Sequence, residues 1–228
     1  MQARVAQVNA LQPSAVLLLG DQVDDAPLGE ARLAEVLHGI TAPRGVWAVT
    51  GNHEYYGDAA TTMAEFKAGG VHWLRDEAVT LVPGLRLAGI DDIGRTMHAG
   101  GDVTAGLVRT LAQPLPDVAS GAASGATILL SHIPADAVIR EAAAHGVGLM
   151  LSGHTHGGQV WPFNYLVAQR FPQVVGRHLV GDMTLVISRG AGSWGAAHAP
   201  VAAGRDRQAD LARAALRDSP GLRRRTMP

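Results

Sequence analysis

Ala15-Val16-Leu17-Leu18-Leu19-Gly20-Asp21-Gln22-Val23-Asp24 is the stretch on which the fold turns. Five apolar residues in a row have the length of a buried strand. The Gly20-Asp21 pair that closes them sets a carboxylate where that strand ends. The same arrangement recurs along the chain. Asn52 and His53 follow the apolar run 46–50 and Gly51, His132 follows 128–131, and His154 and His156 follow 149–152 and Gly153. In α/β sheets the carboxyl ends of the strands converge on one crevice, where ligands bind. A glycine directly before three of these groups lets the backbone turn sharply and approach a bound ion.

Taken singly, each group has a plainer reading. Gly-Asp after a strand is more often a turn or helix cap than a metal ligand. Asn52-His53 reads equally as a turn with a surface histidine, and His132 alone as a structural side chain. His154-Thr155-His156 carries more weight, because alternate residues of an extended segment point the same way and can reach one ion or two adjacent ions. Four such groups at four strand ends are far less expected by chance than any one of them.

Outward from these ends, short β-branched and leucine-rich runs alternate with helical patterns, which gives an α/β fold. Strands are predicted over 15–19, 46–50, 71–74, 78–82, 85–90, 127–131, 148–152 and 184–188. Helices are predicted over 4–11, 30–39, 59–68, 103–112 and 135–145, with Pro134 suited to a first helical turn, where its missing N–H is no loss. Residues 1–194 read as one domain. Residues 195–228 read as a separate, poorly ordered tail: they hold no Phe, Trp or Tyr, and seven arginines stand against three aspartates. Without aromatic platforms, that basic tail reads as a solvated terminus and not as a nucleic-acid arm.

Composition narrows the chemistry. With 228 residues and 47% hydrophobic side chains, the chain can bury a substantial core. Its 20 acidic and 19 basic residues nearly cancel, so no global field advertises a nucleic acid or an anionic membrane. Cysteine is absent, which excludes disulfides, thiolate metal sites and a cysteine nucleophile. No apolar run approaches the roughly 20 residues that span a bilayer. Residues 1–9 lack the apolar stretch of a secretory signal. The chain as given therefore reads as cytoplasmic, with no membrane segment of its own. Carboxylate, amide and imidazole donors suit Mn, Fe, Zn or Co. A metal-bound water is a nucleophile at neutral pH, and the ion neutralises charge on phosphoryl oxygens.

Gly20-Asp21-Gln22-Val23-Asp24, Gly51-Asn52-His53-Glu54, His132 and Gly153-His154-Thr155-His156, in this order, resemble the calcineurin-like metallophosphoesterase family. Ser131-His132-Ile133-Pro134, Gly157-Gly158-Gln159 and Ser188-Arg189-Gly190-Ala191-Gly192 are similar to a bacterial branch of it that often carries membrane helices. The resemblance implies two mixed β-sheets packed face to face and flanked by helices. It implies that Asp21 bridges two metals, that Asn52, His132 and His154 complete one shell, and that His156 serves the other. It gives His53 the role of protonating the leaving group or holding the phosphate. Asp24 and Glu54 fall to supporting roles, and Arg189 to a substrate phosphate or a core ion pair. The implied activity is metal-dependent phosphoester hydrolysis of the phosphodiesterase or pyrophosphohydrolase type, with a lipid-linked phosphoester favoured and a nucleic-acid substrate disfavoured. The alternative is a metal-binding remnant of the fold without turnover.

The family pattern opens with Asp-x-His on a first strand, and no Asp-x-His occurs in this sequence. The expectation is therefore one complete metal site and one incomplete, on an N-terminally shortened domain. The parent protein would be membrane-associated. A bared sheet would offer a surface for oligomers. Asp91, Asp92 and His72 are the nearest acidic and imidazole candidates to fill the gap.

Overall fold

The computed structural model describes residues 2–23, 37–114, 126–157 and 173–190, together with Glu35 and Gln169. The sequence-predicted tail, Asp24 and six of the ten residues of the helix expected over 30–39 lie outside the described residues.

Two sheets form the centre. Strands β1 (Val16–Leu18), β2 (Val46–Ala48) and β3 (Val71–Trp73) make a three-stranded sheet that is parallel throughout. The second sheet has six strands in the order β4 (Glu77–Val82), β5 (Leu85–Gly89), β6 (Ala126–Leu130), β7 (Leu149–Ser152), β9 (Met183–Ile187) and β8 (Gly176–Val180). Its four inner strands run parallel, and β4 and β8 close its two edges antiparallel. All eight predicted strands are present, and β8 is an addition.

Strand periodicity then builds the layers, because successive side chains point to opposite faces. Leu87, Ile128, Leu130, Leu149, Leu151 and Val186 point from the large sheet into a cluster shared with Leu17, Trp47, Val49 and Leu74 of the small one. The two sheets thus pack face to face. The alternate residues Ala88, Leu129, Met150 and Leu185 point the other way, onto Leu107 of helix α4 (Ala105–Ala112) and Val138, Ile139 and Ala142 of helix α5 (Asp136–Ala144). Outside the small sheet, Phe66 of helix α2 (Ala59–Ala68) fills a third cluster with Val46, Ala48 and Val71.

The helices begin and end for local reasons. The Asp58 carboxylate caps α2 by accepting from the N–H groups of Ala60 at 3.1 Å and Thr61 at 3.2 Å. Helix α5 starts after Ala135, so Pro134 lies before the cap and not in the first turn. Its rigid φ directs the chain into the helix from outside. Helix α1 (Gln2–Ala10) buries no residue, and the short helix α3 (Gly94–His98) was not anticipated.

The parallel strands β1, β2, β6 and β7 all finish at the same edge of the sandwich. Asp21, Asn52, His53, His132, His154 and His156 leave from these ends.

Candidate metal centre

The site is built by loops that pass one another very closely. Gly20 adopts a φ of +86°, and a Cβ there would stand 2.6 Å from His132 Nδ1 and 2.7 Å from Gly51 N. A Cβ on Gly51 would meet Asp21 N at 2.6 Å and His132 Cε1 at 2.9 Å. These two glycines admit neighbouring loops of the protein itself. Gly153 is different: a Cβ there would make only ordinary contacts, the nearest at 3.4 Å. Close approach therefore explains two of the three glycines singled out in the sequence.

Glu54 ties the first two loops together. Its buried carboxylate accepts from the backbone N–H groups of Asp21 at 2.9 Å, Gln22 at 2.5 Å and Gly51 at 2.5 Å. Burial pushes the Glu54 carboxyl up, against the pull of these N–H groups. Asp21 is thereby held with one oxygen, Oδ1, accepting from the His53 N–H at 3.0 Å, and the other, Oδ2, 3.1 Å from His132 Nε2.

His132 is oriented from behind. Its Nδ1 donates to the carbonyl of Leu19 at 2.6 Å, which turns Nε2 toward the crevice. His154 Nδ1 lies 3.2 Å from that Nε2. The donor atoms of Asp21, His132 and His154 all fall within 4.8 Å of one another. With metal–ligand bonds of about 2.1 Å, neighbouring donors around one ion stand about 3 Å apart, as the Asp21–His132 and His132–His154 pairs do.

Two more polar atoms support the fit. Asn52 Oδ1 and His156 Nδ1 are both buried without a hydrogen-bond partner, and buried polar atoms are seldom left so unless an ion or water serves them. The His156 ring nonetheless stands outside the group of mutually close donors. The backbone is distorted where the chemistry would occur. Asp21, His154 and His156 have φ of 52°, 66° and 47°, three of the five non-glycine residues with positive φ among those described. Side chains held in that region cost free energy and concentrate at functional sites.

The electrostatics of the group follow from its burial and its mutual contacts. Burial alone would raise the Asp21 carboxyl, but the hydrogen bond and charge of His132 hold it below the usual range. Burial opposes a charge on His132, and Asp21 overcomes that and pushes the imidazole up. His154 is pushed down to about 4, by burial first and then by His132. Burial also lowers His156. His154 and His156 are thereby held neutral, as metal ligands must be, whereas a divalent ion would have to displace the proton that Asp21 favours on His132.

The remaining candidates separate clearly. His53 is buried, with its ring centroid 4.8 Å from that of Tyr56. Arg189 is exposed and lies along Gly157, beside His156, so the core ion pair is ruled out. His72 stacks on Trp47 and takes no part in the site. Asp91 is committed elsewhere, accepting from Thr50, from Tyr55 Oη at 2.6 Å and from Arg75 at 2.7 Å. Asp92 follows strand β5, which pairs with the strand leading to His132, and its Oδ1 is buried without a hydrogen-bond partner. Burial raises its carboxyl, with His132 and Asp21 among the charges it feels. Glu54 has a supporting place, as its position in the motif implied; Tyr56 was missed from sequence, although it lies four residues after Asn52, the spacing at which side chains on a helical turn meet.

The family described as calcineurin-like phosphoesterase matches residues 2–158. An uncharacterized metallophosphoesterase of Campylobacter jejuni is 33% identical over 196 residues, which cover 84% of this chain and 48% of that protein. A Bos taurus protein called transmembrane protein with metallophosphoesterase domain is 32% identical over 212 residues, covering 84% of this chain and 44% of its own length. The solved structure of the sulfate thiohydrolase SoxB of Thermus thermophilus aligns with a TM-score of 0.49 and 18% identity, over 82% of this chain and 36% of the other. The chain spans about half the length of the curated relatives it matches.

Proposed function

The chain belongs to the calcineurin-like phosphoesterase family, and from that premise we propose that it is a metal-dependent hydrolase of phosphodiesters or pyrophosphates. The observation that carries this reading is the convergence of Asp21, His132 and His154 donors on one point. Asn52, through its orphaned Oδ1, is the fourth ligand. His156 serves a second, incompletely ligated position, so one ion per chain is bound firmly. Manganese, iron and zinc all suit this donor set.

A divalent ion bound there would lower the pKa of its water and offset charge on the phosphoryl oxygens. The chain's own residues do the rest. Asp21 orders the loops by accepting from the His53 backbone and facing His132. The His53 imidazole, stacked on Tyr56, holds a proton and passes it to the leaving oxygen. Arg189, exposed beside the His156 turn, is placed to meet a substrate phosphate. A lipid-linked phosphoester is the favoured substrate. The bovine relative's name supports that preference by placing this kind of domain in a membrane protein. No described helix is itself long and apolar enough to cross a membrane.

The test is the initial rate of hydrolysis of bis(4-nitrophenyl) phosphate with and without added Mn, with His53→Ala run alongside. The expected result is turnover that needs the metal and falls on the order of 100-fold in the variant, the lower end for a lost general acid. Metal binding without turnover in the native chain would favour the remnant reading instead.

A further inference from the structure

Tyr56 is 62% exposed, which is unusual for an aromatic residue next to a buried polar site. Core packing does not account for it, yet its side chain contacts two site residues. Asn52 Nδ2 donates to Tyr56 Oη at 2.8 Å. The ring centroids of Tyr56 and His53 are 4.8 Å apart, with planes inclined at 53°. Asn52 and Tyr56 bracket the single turn of 3-10 helix formed by His53–Tyr55.

A carboxamide has two unlike ends: the nitrogen only donates and the oxygen only accepts. At this site the difference is decisive, because only the oxygen can ligate a cation. Nothing in the size or shape of the amide fixes which end points where. Tyr56 Oη, which can accept or donate, accepts from Nδ2 here and so holds the amide against the turn by its nitrogen end. The other end, Oδ1, is then left buried and without a hydrogen-bond partner. An amide turned over by half a revolution would present N–H groups to the cation and repel it.

We propose that Tyr56 is a positioning residue of the metal centre, acting through Asn52 by holding the amide with its oxygen toward the ion. The assignment rests on the reading of Asn52 as a ligand. It explains why a tyrosine stands at an exposed position where its ring gains little from burial. Outer partners that orient a metal ligand typically contribute 10- to 100-fold in metal affinity, roughly the range to expect here.

The experiment is a calorimetric titration of Mn into the native chain, Tyr56→Phe, Asn52→Ala and the double variant. Tyr56→Phe keeps the ring against His53 and removes only the acceptor, so its metal-free melting temperature should match the native one. Its dissociation constant for Mn should rise by about tenfold. Asn52→Ala should weaken binding at least as much, and adding Tyr56→Phe to it should change nothing more, as two residues acting through one interaction require. Native affinity in Tyr56→Phe, with Asn52→Ala weakened, would overturn the role of Tyr56 and leave the ligand set standing. Losses that multiply in the double variant would also overturn it. Native affinity in Asn52→Ala, or no Mn binding by the native chain, would remove the ligand reading and this assignment with it.

Discussion

Gly51 shows how tightly single residues constrain this centre. A methyl group there would meet the Asp21 backbone at 2.6 Å and the His132 ring at 2.9 Å. Neither neighbour is the free end of a flexible chain, since Glu54 fixes the Asp21 backbone and Leu19 fixes His132. Gly51→Ala should therefore lower stability by about 1–3 kcal/mol, the usual range for overpacking. It should also weaken Mn binding by tenfold or more, because Asp21 must move. Urea denaturation and an Mn titration on the same preparation check both effects. The strained φ values of Asp21, His154 and His156 belong to the same picture: the backbone accepts local cost where donors must converge.

Between elements, Asp91 joins the loop after β5 to the turn carrying His53. It accepts from Thr50, from Tyr55 at 2.6 Å and from Arg75 at 2.7 Å. Burial alone would raise its carboxyl, but Arg75, Thr50 and Tyr55 hold it below the ordinary 3.8. A carboxyl lowered in the folded state stabilises the protein above its unfolded pKa, and that contribution disappears as pH falls through the folded value. Asp91→Asn should thus be less stable than the native chain at pH 7, by about 1 kcal/mol given the half-exposed Arg75. The gap should close as pH drops below 3.8, which denaturant midpoints measured from pH 7 to pH 3 would reveal. The elements differed in how far the sequence disclosed them. The eight expected strands are short runs dominated by apolar residues, and the two-sided burial of the central ones explains why they stood out. Strand β8 did not, because Arg177 and His178 interrupt it and, among the described residues, it pairs with β9 alone. The Gly181-Asp182 turn between these strands was its one available signal. At the site, the gathering of Asp21, His132 and His154 at strand ends and the supporting place of Glu54 were legible, whereas the Asn52–Tyr56 contact exists only once the turn between them has formed.

Among the described residues, two sheets and their outer helices make three apolar layers, and the group of Asp21, His132 and His154 sits on the edge of the middle one. Leu130 is fully buried between the sheets, immediately before Ser131 and His132. Leu130→Ala should cost about 3 kcal/mol, a common value for a buried leucine, and lower the denaturant midpoint accordingly. Added Mn should recover part of that loss, since an ion bound only by the folded state stabilises it by mass action. The central claim is that Asp21 anchors one firmly held ion. Equilibrium dialysis against Mn, followed by elemental analysis of native protein and Asp21→Asn, tests it most directly. Asparagine tolerates the left-handed backbone of position 21, so the variant should still fold and melt cooperatively. The account predicts one Mn per native chain and none retained by Asp21→Asn; equal metal content in the two proteins would contradict it.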